Sequence, residues 1–437
     1  MVKMKSAALK LLCVLMMLGL LIGCSGEGIF AIVAVAEKIG EGSLPPGLSA
    51  GPVLNIAPDP PDTTTANYLF VSSGPALYYK HKNADRWNRL NLISNTGKWD
   101  GVQSMVATKK RIFMALYRIG GGRYQVALHT LDSFDGSSAT ITMLTGSLMA
   151  SSSSAYRTIR LFCPDASETT HAVYVNVWKY SGTYGERSNF VDSELYALTP
   201  DLTDWGRKTR LSGTDTHLNG STGRYVTGVA DRNSNSSSGD NDIRITATSS
   251  KFNTSGGLMM NRAGAVKTYG SNVSTTGIVW IRRNWENHNG PGTYIMAGTA
   301  GTFPIFASGD GNDWVQVAST SKLITNFIDV SDTTAGSRGD KHLVLAGTTS
   351  YTTGNTQTVE AGGYYEIDVT SDTLSDWGVG SGSNFASIIN YRSSTLPSTS
   401  FLWWARPAGG DYLYASTRKN GLWRIALNKG APSWSRE

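Results

Sequence analysis

At 437 residues the chain is long for one compact α or α/β domain but ordinary for a large closed all-β architecture. Its formal charge of +6 comes with no Lys/Arg run long enough to grip a polyanion, which sets nucleic acid aside as a partner. Its 48 glycines, 12 tryptophans and 19 tyrosines, with abundant Ser and Thr, describe short strands joined by tight turns, and helical periodicity is almost absent past residue 40.

In chain order, Lys3, Lys5 and Lys10 accompany an apolar run over residues 11–21 that ends in Leu21-Ile22-Gly23-Cys24. A basic start, an apolar run too short to span a bilayer, and a small residue before a cysteine make a bacterial lipoprotein signal. Residues 1–23 are expected to be removed, leaving a diacylglyceryl group on the Cys24 thiol as a membrane anchor and no other cofactor. Loss of the three lysines halves the formal charge. Ser25 stands where an inner-membrane retention signal usually carries Asp, so export to an outer membrane or cell surface is expected. Residues 24–50 read as the lipidated N-terminus and a linker. Within them, 29–39 is apolar nearly all round and suits a short helix, a strand or the start of the linker. The Pro/Gly-rich stretch 40–61 reads as linker leading into the first strands. No second apolar stretch of membrane-spanning length follows. With Cys13 discarded and Cys24 lipidated, only Cys163 remains and no intramolecular disulfide can form.

From residue 67 one phrase recurs: a β-rich run ending in Ala, Val, Ser or Gly, a polar turn, then a second run with an aromatic residue. The first runs are YLFVS, RIFMA, AVYVN, IRITA, YIMAG, LVLAG and YLYAS. Their partners are ALYYK, YQVALHT, ELYAL, GLMM, FPIFAS, GYYEID and GLWRIA. Equivalent apolar positions Leu69, Ile112, Val173, Ile243, Tyr294, Leu343 and Tyr412 are separated by 43 to 70 residues, the range of a four-stranded propeller blade with some long loops. Several second runs lead through a turn to a tryptophan, namely Trp87, Trp205, Trp314, Trp377 and Trp434. Such an indole can cap the apolar layer between adjacent sheets. A four-stranded sheet with two apolar faces cannot bury both alone, whereas radial stacking can. The expectation is an all-β, seven-bladed β-propeller of four-stranded antiparallel blades over residues 51–437, behind a short apolar N-terminal segment. A β-sandwich or two smaller β domains is the alternative.

The turn Ser308-Gly309-Asp310-Gly311-Asn312-Asp313-Trp314 resembles the Asp-box of sialidase-type propellers, and that resemblance implies a structural role for Ser308, Asp310 and Trp314. The early Arg-Ile-Pro of that family has no match; the nearest phrases are Tyr117-Arg118-Ile119-Gly120 and Arg157-Thr158-Ile159-Arg160. Glycoside hydrolysis is therefore disfavoured. The six histidines (81, 129, 171, 217, 288, 342) show no HxH or HxxxH spacing, there is no CxxC, and no metal site is expected. There is no GxSxG and no P-loop, and Cys163 reads as a packed thiol. Asp231, Asn233, Asn235 and Asp242 fall at positions 1, 3, 5 and 12 of a calcium-type loop. Ser236 replaces its Gly and the bidentate Glu is missing, so an Asn/Ser-rich surface loop is the better reading.

Arg338-Gly339-Asp340 lies in DTTAGSRGDKHL, between an apolar strand over 323–330 and the run starting at Leu343. At the tip of an exposed turn such a tripeptide presents a cation and a carboxylate, the pair integrin receptors bind; an ordinary solvated turn is the competing reading. The lipobox at Cys24, the Gly/Ser/Thr-rich body and Arg338-Gly339-Asp340 together resemble spirochaetal surface lipoproteins, in particular the treponemal lipoproteins that bind fibronectin and laminin. That resemblance implies an outer-membrane, surface-exposed adhesin for host extracellular matrix, with integrin as a further partner, and binding rather than catalysis. Two other classes fit the same features: an outer-membrane assembly or scaffolding lipoprotein, and a carbohydrate-active enzyme with acids scattered over inner strands.

Overall fold

Runs dense in β-branched and aromatic residues, cut short by Gly, Asn or Ser, form strands throughout the computed structural model. The described residues are those of its strands together with residues 67, 82–84, 86, 87, 91, 99, 100, 108, 111, 135, 136, 144, 163, 303, 314, 320–322, 363, 434 and 437. Sheet one is β1 (Ala50–Asn55), β2 (Tyr68–Ser73), β3 (Ala76–His81) and β4 (Asn88–Leu90). Two short strands, β5 (Ile93–Ser94) and β6 (Gly97–Lys98), precede the meander of sheet two. That meander is β7 (Gly101–Ala107), β8 (Ile112–Gly120), β9 (Arg123–Phe134) and β10 (Ala139–Met143), and β5 lies parallel to β10 at its edge. Sheet three is β11 (Ala155–Phe162), β12 (Val173–Ser181), β13 (Phe190–Leu198) and β14 (Thr209–Arg210). Sheet four is β15 (Tyr225–Asp231), β16 (Ile243–Thr248), β17 (Gly257–Asn261) and β18 (Val266–Tyr269). Sheet five is β19 (Thr275–Arg282), β20 (Gly292–Gly298), β21 (Pro304–Ser308) and β22 (Val315–Ser319).

Sheet six is built on β23 (Leu323–Ser331) and β24 (His342–Thr349), which continue after the small hairpin β25 (Tyr351–Thr352) and β26 (Thr358–Val359) into β27 (Tyr364–Asp368) and β28 (Ile389–Arg392). Sheet seven is β29 (Leu402–Ala405), β30 (Tyr412–Thr417), β31 (Gly421–Ala426) and β32 (Ser435–Arg436). Among the described residues every pairing but that of β5 with β10 is antiparallel, and no α-helix occurs.

The recurring phrase occupies the same place each time. Its first runs form the second strands (β2, β8, β12, β16, β20, β24, β30) and its partner runs the third strands. Where their side chains are described these strands bury residues on both faces, β21 at all five positions and β27 at four of five, in keeping with their near-continuous apolar runs.

Consecutive sheets pack on one another. Phe70 and Leu77 of sheet one share a core with Met105, Ile112, Met114, Leu116 and Leu131 of sheet two. The opposite face of sheet two, with Phe113, Val126 and Leu128, meets Ile159, Leu161, Val175 and Val177 of sheet three. Sheets five and six meet through Ile295, Ile305, Ile324, Val344 and Ile367. Each fully buried aliphatic or Phe side chain in these seams contributes about 1.5–3 kcal/mol. Trp87 is buried between sheets seven and one, with Leu69, Val71, Tyr414 and Leu422. Trp434 is buried between sheets six and seven, with Leu345, Tyr364, Leu413 and Ile425. Backbone contacts continue through the remaining sheets, β12 with β15 and β15 with β19, and β29 and β30 return against β1.

The first strands carry a repeated irregularity. Register slips by one residue against the second strand between Ala50 and Val53, Val102 and Ser104, Val226 and Gly228, Thr275 and Gly277, and Ile324 and Asn326. Such bulges bend a strand and re-aim its side chains. In β7 the bulge delivers Gln103 and Ser104 to the neighbouring first strand. Their side-chain oxygens accept the backbone N–H groups of Ile159 at 2.9 Å and Leu161 at 3.0 Å. Those two amides of β11 thereby find partners in the adjacent sheet.

One reading from the sequence changes. Part of the stretch read as linker, Ala50–Asn55, is strand β1, paired with β2; Pro52 is tolerated because it falls in a bulge, where a ladder N–H is not required. The apolar segment 29–39 lies outside the described residues, as does the whole of 1–49.

Candidate functional site

Arg338-Gly339-Asp340 falls within residues 332–341, the connection from β23 to β24, and lies outside the described residues together with Cys24, Asp310 and the calcium-type loop beyond Asp231. The strands that carry this connection are well fixed. Ser331 and His342 are direct partners across the pair, and Val344, Leu345 and Ala346 behind them are buried. At the entry to β23 the Tyr365 hydroxyl accepts the N–H groups of Ser321 and Lys322, each at 3.1 Å. On the outer strand, Arg392 donates to Glu366 at 2.8 Å, and Glu366 also accepts the Tyr364 hydroxyl at 3.3 Å. That hydrogen bond and the carboxylate's charge raise the pKa of the Arg392 guanidinium above its ordinary value. Tyr391 beside it is exposed, its phenol shifted up by desolvation and by Tyr365. Ser308 ends β21 and is buried, and Trp314 stands half-buried just before β22, so the Asp-box-like phrase occupies the connection between the third and fourth strands of sheet five.

A buried group of charges sits at the junction of sheets seven and one. Lys80 on β3 is 1% exposed and pairs with the Glu437 carboxylate, itself 4% exposed. Arg424 on β31 binds the second carboxylate oxygen at 3.0 Å, and the Trp87 indole N–H donates to the first at 3.3 Å. The Lys80 ammonium also lies over the rings of Trp87 and Tyr414, 4.8 and 5.6 Å from their centroids. Burial pushes the Tyr414 phenol up to about 12, with Arg424 opposing. Every group in the cluster has a partner inside the junction. The arrangement ties two sheets together, and its polar atoms are spent on one another.

A second buried polar group lies in sheet two. Strands β8, β9 and β10 place Met114, His129 and Met143 directly opposite one another in a single row. Side chains opposite each other share a face, and Met114 and Met143 belong to the core between sheets one and two. His129 is fully buried in that row. Its Nδ1 is 3.2 Å from the Ala127 carbonyl, its Nε2 is buried without a hydrogen-bond partner, and the Trp99 ring packs edge-on at 4.7 Å. Desolvation, with the Arg118 charge acting the same way, pulls its pKa down to about 4 against the opposing bond to Ala127, so the imidazole is neutral near pH 7. No linear spacing reveals this row, because its members come from three strands.

Among the described residues no three His, Cys, Asp or Glu side chains gather as a metal cluster. Cys163 lies against the Ala107 carbonyl, Sγ to O 3.4 Å, as a packed thiol. Arg160 on β11 stands over the Phe162 ring at 5.0 Å, and desolvation lowers its pKa to about 10.

No protein-family model matches the chain, and no curated protein matches it in sequence. Among solved structures, BBS1N in complex with ARL6DN is 10% identical, with 83% of this chain and 88% of that one covered and a TM-score of 0.43. The Aleuria aurantia lectin, a fungal lectin described as a six-bladed β-propeller with a novel fucose recognition mode, is 11% identical over 76% of this chain and 98% of its own, with a TM-score of 0.32. The lignostilbene dioxygenase of Pseudomonas brassicacearum is 8% identical over 62% and 64% of the two chains, at 0.35.

Proposed function

We propose that the chain is a seven-bladed β-propeller lipoprotein, anchored through Cys24 at a bacterial outer membrane, that acts as an adhesin for host extracellular matrix glycoproteins such as fibronectin and laminin. Integrin would be a further partner through Arg338-Gly339-Asp340. The observation that carries this reading is the seat of the tripeptide. It lies in the connection leaving a strand pair whose register is continuous to its last residues, Ser331 and His342, so a recognition element there would rest on a rigid mount. In a ring of such sheets the first strands run the same way. The connections 164–172, 232–242, 283–291 and 406–411 then leave from the same side as 332–341 and widen the binding face.

The test is attachment. Host cells should bind immobilised Cys24→Ser protein, and the lipid-free chain should bind fibronectin or laminin in a solid-phase assay. Asp340→Glu and Asp340→Ala should each abolish integrin-dependent attachment while leaving the thermal melt unchanged. Attachment that survives both variants retires the tripeptide, and absence of any matrix binding retires the adhesin. Cys24→Ser should also abolish incorporation of labelled fatty acid and release the chain from membranes, with protease shaving of intact cells reporting exposure.

A further inference from the structure

We infer that Met114, His129 and Met143 form a buried soft-metal site that takes one Cu(I) ion in the seam between the first two sheets. The row is defined by backbone register: Met114 and Met143 are the direct cross-strand neighbours of His129 on either side. Directly opposite side chains have Cβ atoms about 4.5–5.5 Å apart, close enough for two flexible thioethers to reach one imidazole. The three are on one face, since Met114 and Met143 both pack into the core formed with Phe70 and Leu77. A buried nitrogen with no hydrogen-bond partner is costly, and native interiors rarely keep one. The contact of Nδ1 with Ala127 sets the tautomer, putting the proton on Nδ1 and leaving the Nε2 lone pair as the open donor.

The ligand chemistry selects the ion. Two thioethers and one neutral imidazole are soft, uncharged donors, which suit Cu(I) and leave Mg, Ca and Mn without oxygen ligands. No carboxylate stands in the row to offset a second positive charge. Arg118, whose guanidinium lies 4.9 Å from the centroid of the Trp99 ring, adds a nearby cation that penalises a divalent ion. Among groups facing the site, Trp99 supplies an aromatic wall, 74° from the plane of the imidazole, that excludes water. Met143 is half-buried at the end of β10, which makes it the side through which an ion enters. The inference is independent of what the loops bind.

The experiment titrates Cu(I) into the full-length chain under anaerobic reducing conditions against bicinchoninate. Cys13, Cys24 and Cys163 are replaced by Ser so that thiols do not compete. One equivalent of Cu(I) is expected to bind, with X-ray absorption showing two sulfur scatterers and one nitrogen. Met114→Leu and Met143→Leu conserve core volume, so they should keep the thermal melt within a few degrees while each weakens Cu(I) binding at least about tenfold. His129→Gln should abolish the nitrogen scatterer and the one-equivalent stoichiometry. The inference is overturned if bicinchoninate retains all the copper, if affinity is unchanged in both folded methionine variants, or if the bound ion shows only nitrogen and oxygen neighbours.

Discussion

Replacing Glu437 tests whether the charged junction between sheets seven and one closes the molecule. The carboxylate is 4% exposed and receives Lys80, itself 1% exposed, while Arg424 and Trp87 bind the same group. Glu437→Ala removes the carboxylate from a buried ammonium and from a buried indole N–H together. Breaking a buried pair by deleting one partner costs about 3–5 kcal/mol. For roughly 390 folded residues at about 2.1 cal/mol/K each, that corresponds to a fall in Tm of about 4–6 °C. Lys80→Met is milder, about 1–3 kcal/mol, because Arg424 continues to hold the carboxylate. The double variant Lys80→Met/Glu437→Leu should lie within about 1 kcal/mol of wild type, since an apolar replacement of a whole buried pair is often neutral. Arg424, partly exposed and stacked over Tyr412 at 4.7 Å, tolerates the loss. A double-mutant cycle by urea unfolding, closed with Lys80→Met and Glu437→Leu as its single variants and with calorimetry alongside, should return a coupling of at least about 2 kcal/mol. A Glu437→Ala cost below about 1 kcal/mol, or strict additivity of the two changes, would refute the junction as a closing device.

Gly136 adopts φ +90°, and a Cβ there would collide with the Tyr68 hydroxyl, which donates to the Asp135 carbonyl; Gly136→Ala should cost about 1–3 kcal/mol by urea unfolding, and a neutral result would mean the β9–β10 turn yields freely. Gln103→Leu and Ser104→Ala each deprive one β11 amide of its acceptor, at about 1–3 kcal/mol apiece, and should speed hydrogen exchange at Ile159 and Leu161 respectively, whereas unchanged exchange would show that those amides have other acceptors. His129, with its pKa lowered from 6.5 to about 4, gives metal-free protein stability that is complete above pH 6.5 and is lost as pH falls to 4, because the unfolded chain takes up the proton first. The loss is roughly 3 kcal/mol at 1.4 kcal/mol per pH unit, and His129→Gln should remove that part of the slope between pH 6.5 and 4; an identical slope in both proteins would place the titration elsewhere.

The second and third strands were legible because their β-branched and aromatic residues come in unbroken runs, which announce themselves locally. YLFVS and ALYYK are β2 and β3, and GLWRIA is β31. Of the tryptophans expected to cap the apolar layers, Trp87 and Trp434 are buried between sheets, Trp314 is half-buried, and Trp205 and Trp377 lie outside the described residues. The first strands were less so, apart from β23, which reads as an apolar strand over 323–330, and in two of them the bulge explains why. In β7 the buried residues Gly101, Val102 and Met105 are not two apart, since the slip between Val102 and Ser104 breaks the alternation on which strand recognition relies. In β1 the same device admits Pro52, which made a strand look like a linker.

The candidate sites divide along the same line of local against non-local information. Arg338-Gly339-Asp340 and Cys24 are contiguous signals, readable at once as motifs. The junction at Glu437 and the row at His129 have no linear pattern, because Lys80, Arg424 and Glu437 meet only when sheets seven and one touch, and Met114, His129 and Met143 align only when three strands find register. A one-residue slip of β9 against β8 would carry His129 to the opposite face, into the core shared with sheet three, and would separate it from both methionines. The apolar neighbours Ala127 and Leu131 hold that register by burying their side chains on the same face, so packing energy fixes the geometry of a row whose chemistry contributes little to folding.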